Sequence, residues 1–411
     1  MQDWNEDISY PVRTMQKRVL QFNKQTNTYK RMGKITIKQI TMDNFKGEIH
    51  RITKFKDDVT VLSGKNGSGK SRHMDAFLWC LFGKDSMERK DYEVKTYVCD
   101  NLKSSEDVSV EVTLLIDGER ETTYKRVLHE KYSQDRGNDT LVFKGNETLC
   151  YIDDVPAKSG EYRQAVNELV SEDLFKLVTN PTYFVSLKWD IQRSMLFSLL
   201  DDIPQSDIIA YEPRLEQMRE PLSKYTLGQY KDLTASEKKK VKADLTAITP
   251  KLEQTERLYE LVKRGANSAK AMDILMNEIN ALSNWSKKLS QKMADIEKAE
   301  YLIGLYYQTW AKMAEQKING KFKSVKFRLF ESTVEGKINE VCIPTLKAVP
   351  YGSVNTAGKL LMGMDIIDAF SKHYDTYAPI WIDNVEGLNQ VPTSESQQIH
   401  MVVTKSNFKA V

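Results

Sequence analysis

Apolar and polar residues alternate along the early part of the chain with the period of two that predicts half-buried β-strands. The first such segment covers residues 35–40, and residues 43–47 indicate the turn that ends it. Residues 58–63 are rich in β-branched and apolar side chains and predict a buried strand, whereas the apolar residues of 73–81 predict a helix. A glycine-rich segment lies between this strand and this helix.

A second alternating region predicts antiparallel pairing. Residues 108–116 and 121–128 alternate on either side of the dipeptide Asp117-Gly118, which is typical of a tight β-hairpin. A further strand is expected at 140–143. The pattern therefore predicts an antiparallel β region, followed by helices.

Two long segments in the middle of the chain carry apolar residues at alternating steps of three and four, the heptad pattern of packed helices. Residues 264–268, which include a glycine, separate them and predict an antiparallel helical hairpin about 35–50 Å long. Pro250 falls inside the first helix and is expected to kink or break it. The alternative is that both helices pack on a globular body. The seam positions are Val241, Leu245, Ile248, Leu252, Thr255, Tyr259 and Val262, then Met272, Leu275, Ile279, Leu282, Ser286, Leu289, Met293 and Ile296.

Mixed strands and helices return after Asn319. Strands are expected at 323–330, 336–342, 379–383 and 399–404, and a helix at 360–373. The fold class is therefore expected to be α/β, with two α/β halves separated by the helical insertion. The expected boundaries are an N-terminal extension (1–33), an N-terminal half of the head (34–200), a helical arm (201–318) and a C-terminal half (319–411).

The composition narrows the possible ligands and the cellular location only slightly. The 411 residues carry a net charge of +3, which is too small to indicate nucleic-acid binding by itself, so any basic surface is local. The four cysteines are scattered without a C-x-x-C pair, which disfavours a zinc site and fits a reducing compartment. No apolar run approaches the roughly 20 residues that span a bilayer, and residues 1–7 lack the features of a secretory signal. We therefore expect a cytoplasmic protein without a membrane partner.

The glycine-rich segment, residues 64–71, reads G-K-N-G-S-G-K-S and fits the phosphate-binding pattern G-x-x-x-x-G-K-[ST]. In this pattern the glycines let successive backbone N–H groups surround a phosphate at a helix N-terminus. Lys70 is expected to reach the β- and γ-phosphates, and the Ser71 hydroxyl is expected to bind Mg²⁺. A chance glycine turn is disfavoured because a predicted strand and helix flank the loop. The expected nucleotide-binding residues here are Gly64, Lys65, Asn66, Gly67, Ser68, Gly69, Lys70, Ser71 and Arg72.

A second part of the nucleotide site is expected where the apolar strand 379–383 ends in Asp383. Its carboxylate would bind Mg²⁺ through water, opposite Ser71. Buried strands also end in aspartate by chance. However, a P-loop protein needs such a residue, and Asp383 is the strongest candidate in the sequence.

Residues 34–404 resemble the ABC-type ATPase heads of the SMC, RecF, RecN and SbcC group, proteins of chromosome maintenance and DNA repair. The likeness comprises the opening strand with its Asn44-Phe45 turn, the P-loop, a coiled-coil insertion, a signature segment and the strand that ends in Asp383. Within this group the chain resembles small SMC-like ATPases of phages and prophages of Gram-positive bacteria. The segments that carry this narrower resemblance are 180–184, 189–193, 350–359 and 382–386.

The resemblance implies a P-loop ABC-type ATPase head with an antiparallel β subdomain and an inserted short antiparallel coiled-coil hairpin. It also implies a homodimer in which two ATP molecules lie between the P-loop of one head and the signature of the other. The usual signature is serine-glycine-glycine followed by a polar residue. The matching residues here are Asn355, Thr356, Ala357 and Gly358, which would serve equally well as an ordinary helix cap.

Several positions depart from the family pattern. A glutamate that polarises the attacking water normally follows the strand aspartate, but this chain has Asn384, which orients water without accepting its proton. Glu386 is the alternative catalytic carboxylate. Lys405 replaces a histidine that senses the γ-phosphate, and Gln192 and the segment around Asn180 are the two candidates for the Q-loop. We therefore expect strong ATP binding and slow or partner-stimulated, Mg²⁺-dependent hydrolysis.

Basic residues at the predicted tip of the hairpin, Lys263, Arg264 and Lys270, are candidate DNA contacts. Such residues bind phosphates without sequence preference, although they also occur as a merely solvated helix face. The resemblance makes duplex DNA the leading ligand, with a nuclease or recombination protein as a further partner. The rival hypothesis is a nucleotide-switched oligomeric scaffold in phage–host conflict, which engages a protein and hydrolyses little ATP. An ordinary metabolic kinase is disfavoured by the coiled-coil insertion.

Overall fold

The structure is a computed structural model that describes residues 33–411, apart from 88, 100–101, 135–140, 266–268, 333–337 and 389. The predicted N-terminal extension therefore lies outside the described residues, except for Gly33. The described chain forms two compact units. One contains residues 200–317 with 332 and 338, and the other contains residues 33–199, 318–331 and 339–411.

The secondary structure alternates between strands and helices in the larger unit and is helical in the smaller one. The strands are β1 (Ile35–Phe45), β2 (Glu48–Lys54), β3 (Val59–Gly64), β4 (Tyr97–Cys99), β5 (Leu102–Lys103), β6 (Val108–Ile116), β7 (Arg120–Gln134), β8 (Leu141–Ile152), β9 (Val155–Ala157), β10 (Val325–Ser332), β11 (Ile338–Leu346), β12 (Val349–Pro350), β13 (Ile380–Asp383), β14 (Gln398–Val403) and β15 (Lys409–Ala410). The helices are α1 (Lys70–Phe82), α2 (Ser159–Leu169), α3 (Glu172–Thr179), α4 (Tyr183–Ser186), α5 (Trp189–Ser198), α6 (Gln205–Tyr211), α7 (Arg219–Lys224), α8 (Leu227–Gly265), α9 (Ala269–Gly320) and α10 (Thr356–Tyr374). Short 3₁₀ turns occur at Pro213–Met218, Tyr351–Ser353 and Val385–Gly387.

A four-stranded sheet, with strand order β13-β14-β3-β15, forms the centre of the larger unit. Its first three strands are parallel and its last strand pairs antiparallel to β3. Leu62, Ile380, Ile382 and Ile399 of this sheet are buried. Such apolar strands are expected of a parallel sheet that is covered on both faces.

A six-stranded antiparallel sheet, with strand order β2-β1-β6-β7-β8-β9, accompanies the central sheet in the same unit. The predicted hairpin is confirmed: β6 pairs with β7, and Asp117 and Gly118 turn between them with φ of 56° and 73°. Positive φ at both turn residues matches the right-handed twist of the strands. The predicted α/β fold class is confirmed, with an antiparallel β region and a helical insertion.

The smaller unit contains the two long helices α8 and α9. Their contact is a cluster of seam residues: Val241, Ile248, Leu289 and Ile296, with Leu245, Leu282 and Met293 packed against it. Lys238 forms an ion pair with Glu300 at 2.6 Å, which fits an antiparallel arrangement of the two helices. The 39 residues of α8 correspond to a length of about 58 Å.

The structure corrects three local expectations in their extent. β1 continues through Phe45, so the turn is confined to Lys46 and Gly47, whose φ values of 50° and 84° suit a two-residue hairpin. The helix expected at 73–81 is present as α1, which begins earlier, at Lys70, because the P-loop leads directly into its first turn. α8 continues through Pro250 without a break, because buried residues on both sides of the proline hold the helix together. Among the described helices, none is long and apolar enough to cross a membrane.

Candidate functional site

The P-loop connects β3 to α1, as the sequence pattern predicts. Gly67 and Gly69 have φ of 78° and 95°, which are left-handed values that favour glycine, and Gly69 is the N-cap of α1. A Cβ on Gly64 would lie 3.1 Å from Phe408 Cα, so this glycine permits a close approach of two backbone segments. The loop is therefore shaped to present backbone N–H groups at a helix N-terminus, where anions bind.

Lys70 is buried at the start of α1, and its ammonium group folds back over the loop. Its Nζ donates to the carbonyl oxygens of Gly64 at 2.9 Å and Lys65 at 3.0 Å. An ammonium has three donors, so these two carbonyls leave one N–H for an oxygen of an anionic ligand.

The parallel sheet brings the end of β13 close to the P-loop. In the strand register, Asp383 pairs with Met401 of β14, and Val403 at the end of β14 pairs with Gly64 of β3. The carboxyl ends of these strands open onto one cavity of about 370 Å³. Its lining residues are Lys46, Asn66, Gly67, Gly69, Lys70, Ser71, Arg72, Asp75, Asp383, Asn384 and Val403.

The two candidates for the catalytic position have different surroundings. Asn384 lines the cavity, has φ of 56°, and donates its backbone N–H to Asp383 Oδ1 at 2.9 Å. Glu386 lies in the exposed 3₁₀ turn Val385–Gly387 and does not line the cavity. Asn384, rather than Glu386, therefore lies beside the P-loop.

Lys46 and Asp75 are cavity residues that the sequence motifs did not identify. Lys46 Nζ pairs with Asp75 Oδ2 at 2.6 Å, and Asp75 Oδ1 accepts hydrogen bonds from the backbone N–H and hydroxyl of Ser86. Lys46 occupies the turn after β1, whereas Asp75 lies on α1. The only sequence signal for this pair was the turn that follows Asn44-Phe45, because the pairing depends on the tertiary fold.

The candidate signature residues begin α10. Asn355 is its N-cap, and its Oδ1 accepts the backbone N–H of Gly358 at 2.8 Å. Asn355 and Thr356 are exposed, whereas Gly358 is buried. None of these residues lines the P-loop cavity of the same chain; Asn355 instead borders a second cavity of about 920 Å³. The start of α10 is thus exposed at Asn355 and Thr356.

Two further candidates lie outside the lining of the P-loop cavity. Gln192 is buried and donates from Nε2 to the carbonyl oxygens of Val185 and Leu187, at 3.3 and 2.8 Å. Lys405 is exposed in the turn after β14. The basic residues Lys263, Arg264 and Lys270 are exposed on α8 and α9, and Lys263 lies 3.6 Å from Glu260.

The cavity residues suit a magnesium nucleoside triphosphate. Lys70 supplies positive charge beside the backbone N–H groups of the loop, whereas Lys46 and Arg72 are paired with Asp75 and Glu48. The Ser71 hydroxyl and the Asp383 carboxylate are oxygen ligands of the kind that Mg²⁺ prefers. When bound, Mg²⁺ neutralises charge on the phosphates.

The chain is similar to several known proteins. A family model described as an AAA domain matches residues 39–303. The DNA double-strand break repair Rad50 ATPase of Methanocaldococcus jannaschii is 30% identical over 137 residues, which cover 33% of this chain and 12% of that protein. The matched part of the chain thus spans about an eighth of the curated relative's length.

Two solved structures resemble the chain distantly. One is the Smc head domain from Pyrococcus furiosus with an extended coiled coil, bound to the C-terminal domain of ScpA; it has 12% identity, a TM-score of 0.40, and 92% and 96% coverage of the two chains. The other is the recombination mediator protein RecF with ATP, which has 12% identity, a TM-score of 0.39, and 92% and 95% coverage. At these TM-scores nothing about function follows from either likeness.

Proposed function

This chain belongs to the AAA domain family, and from that premise we propose that it is an SMC-like, DNA-binding ATPase. ATP and Mg²⁺ would bind in the cavity at the carboxyl ends of β3 and β13. The observation that carries this proposal is the convergence of Lys70, Ser71 and Asp383 on one cavity, although Asp383 is far from the P-loop in the sequence.

We propose that ATP joins two heads. The exposed start of α10, at Asn355 and Thr356, offers backbone N–H groups to a γ-phosphate held by the P-loop of a second copy. The absence of this helix start from the lining of the chain's own described P-loop cavity is consistent with such an arrangement. ATP would then act as the bridge between two identical subunits.

Hydrolysis in this proposal is slow or depends on a partner. Asn384 orients a water molecule beside the nucleotide but cannot take its proton, because an amide is not a base. Glu386 carries a carboxylate but lies in an exposed turn outside the cavity. For Glu386 to act as the base, the Val385–Gly387 turn would have to move toward the nucleotide.

DNA repair or recombination is the proposed setting. The name of the Rad50 relative supports this, as do the exposed cations Lys263, Arg264 and Lys270 on the helical hairpin. Duplex DNA is the proposed ligand, and a nuclease or recombination protein is the proposed further partner. The proposed phage or prophage context rests on the resemblance of segments 180–184, 189–193, 350–359 and 382–386.

A second candidate function is a nucleotide-switched oligomeric scaffold in phage–host conflict, which binds a protein and hydrolyses little ATP. The placement of Asn384, rather than a carboxylate, in the cavity lining favours this alternative. Both candidates share ATP-dependent assembly, so the rate of hydrolysis and its response to DNA distinguish them.

The test measures ATP turnover with and without duplex DNA, together with molecular mass by light scattering. Wild type is compared with Glu386→Gln, and Lys70→Ala serves as the variant with an impaired nucleotide site. A DNA-stimulated turnover that Glu386→Gln abolishes, with ATP-dependent dimers, supports the DNA-binding ATPase. Assembly on ATP without turnover under any condition supports the scaffold and contradicts the ATPase.

A further inference from the structure

A group of side chains beneath the P-loop, centred on His73 of α1, has a defined hydrogen-bond arrangement. His73 is buried, with Nδ1 3.0 Å from the carbonyl oxygen of Gly69 and Nε2 2.9 Å from Thr53 Oγ1. Because a carbonyl oxygen only accepts, Nδ1 carries the proton and Nε2 accepts from the Thr53 hydroxyl. The neutral ring is thus satisfied at both nitrogens, and one bond ends on the N-cap of the P-loop helix.

The ring of Phe408 stacks on this imidazole. The two ring centres are 4.9 Å apart and the planes differ by 7°, while the guanidinium carbon of Arg51 lies 4.5 Å from the centre of the Phe408 ring. Arg51 and Arg72 both pair with Glu48, at 2.9 and 2.6 Å. The stack therefore joins α1, β2 and the segment between β14 and β15.

That segment, residues 404–408, is bonded to the P-loop itself. Thr404 donates its backbone N–H to the carbonyl oxygen of Gly64 at 3.0 Å, and Lys65 donates its backbone N–H to the carbonyl oxygen of Ser406 at 3.1 Å. The missing side chain of Gly64 allows Phe408 Cα to approach closely. The P-loop thus lies between its own helix and segment 404–408.

We propose that His73 and Phe408 are positioning residues that hold the P-loop in its nucleotide-binding conformation. Their stack fixes segment 404–408 against the loop, so that the backbone N–H groups stay directed at the phosphates. Neither side chain lines the cavity, so both act through Gly69 and Lys65. This inference rests on the proposed nucleotide-binding function.

The glycine content of the loop explains why such support affects binding. A backbone with several glycines has many accessible conformations, and ordering it on binding lowers affinity. Contacts that order the loop in advance avoid this loss. Removal of the stack should therefore weaken nucleotide binding more than an equal loss of packing elsewhere.

The experiment measures MgATP affinity by calorimetry, and thermal unfolding without nucleotide, for wild type, Phe408→Ala and Phe408→Tyr. The matched control is Phe82→Ala, because Phe82 is half-buried at the opposite end of α1, with its ring 5.2 Å from that of Phe175. Phe408→Ala is expected to weaken MgATP binding about tenfold. Phe408→Tyr keeps an aromatic ring at this position and is expected to retain most of the wild-type affinity. Phe82→Ala is expected to lower the unfolding temperature without changing affinity.

Wild-type affinity in Phe408→Ala, or an equal loss of affinity in Phe82→Ala, would overturn the positioning role. If Phe408→Ala does not fold, Phe408→Leu takes its place, because leucine keeps apolar volume but removes the ring stack. A wild-type protein that does not bind MgATP would contradict the proposed nucleotide-binding function instead. Wild-type affinity for MgATP therefore tests the proposed function, and the affinity of Phe408→Ala relative to wild type tests the positioning role.

Discussion

At the scale of single residues, His73 connects the stability of the fold to pH. Burial lowers its pKa from 6.5 to about 4, and the positive charges of Arg51 and Arg72 act in the same direction, against the hydrogen bond to Gly69. In the unfolded chain the imidazole keeps a pKa near 6.5. Between these two pKa values the unfolded state binds more protons, so stability falls as pH falls.

Lowering the pH from 7 to 4 should therefore reduce the free energy of unfolding by about 3 kcal/mol through His73. His73→Met removes this titration and should give a shallower pH dependence, although it starts from a lower stability because two hydrogen bonds are lost. Urea denaturation at a series of pH values measures the difference. Phe82→Ala, which removes packing but no titratable group, is the control and should lower stability by a similar amount at every pH, so that its profile stays parallel to that of wild type. Parallel profiles for wild type and His73→Met would contradict the assignment.

Site residues that belong to a local sequence motif could be predicted from the sequence, whereas site residues that only the tertiary fold brings to the cavity could not. Lys70 and Ser71 follow from one eight-residue motif, and Asp383 follows from its place at the end of an apolar strand. Lys46 has no motif of its own. It reaches the cavity because a two-residue turn places it beside Asp75. That pairing required the register of β1 against β2, which the sequence did not specify.

At the scale of elements, the helical hairpin follows closely from its heptad pattern. The predicted seam positions Val241, Ile248, Leu289 and Ile296 are the residues that form the buried cluster. Packing across a seam of this kind, rather than intrinsic propensity, stabilises long helices in water. This also explains why Pro250, two residues after the buried Ile248, does not end α8.

Ile248→Ala should destabilise the hairpin by about 2–5 kcal/mol, because it removes a buried side chain and leaves a cavity. Leu261→Ala is the control on the same helix, since Leu261 is 66% exposed, and its effect should stay within about 0.5 kcal/mol. Hydrogen–deuterium exchange across α8 and α9 measures both. Similar protection in the two variants would show that the cluster does not hold the hairpin together.

The boundaries of elements were less predictable than their existence. β1 is longer than its alternating segment, and the two-residue strand β15 was not predicted. β15 exists through pairing with β3, at Lys409 with Ser63 and Ala410 with Leu62. Such short strands depend on a neighbour far away in the sequence, so local pattern carries little signal for them.

At the scale of the whole molecule, the proposed sites are built from two copies of the chain. Each would combine the P-loop of one subunit with the α10 start of the other. Lys70→Ala removes the phosphate-binding ammonium from the first part. Thr356→Glu places a negative charge at the second, where it repels phosphate while remaining compatible with a helix N-terminus. In a dimer of either variant alone, both nucleotide sites would therefore be defective.

A mixture of the two variants regains one complete site in each mixed dimer, formed by the intact P-loop of Thr356→Glu and the intact helix start of Lys70→Ala. We expect each variant alone to stay monomeric with MgATP, and an equal mixture to form dimers, as measured by light scattering. Thr356→Gln, which has no charge, is the control and should dimerise alone. This readout needs no hydrolysis, so it applies to the ATPase and to the scaffold alike. A mixture that stays monomeric while wild type dimerises would show that the nucleotide does not bridge the P-loop of one subunit and the α10 start of the other.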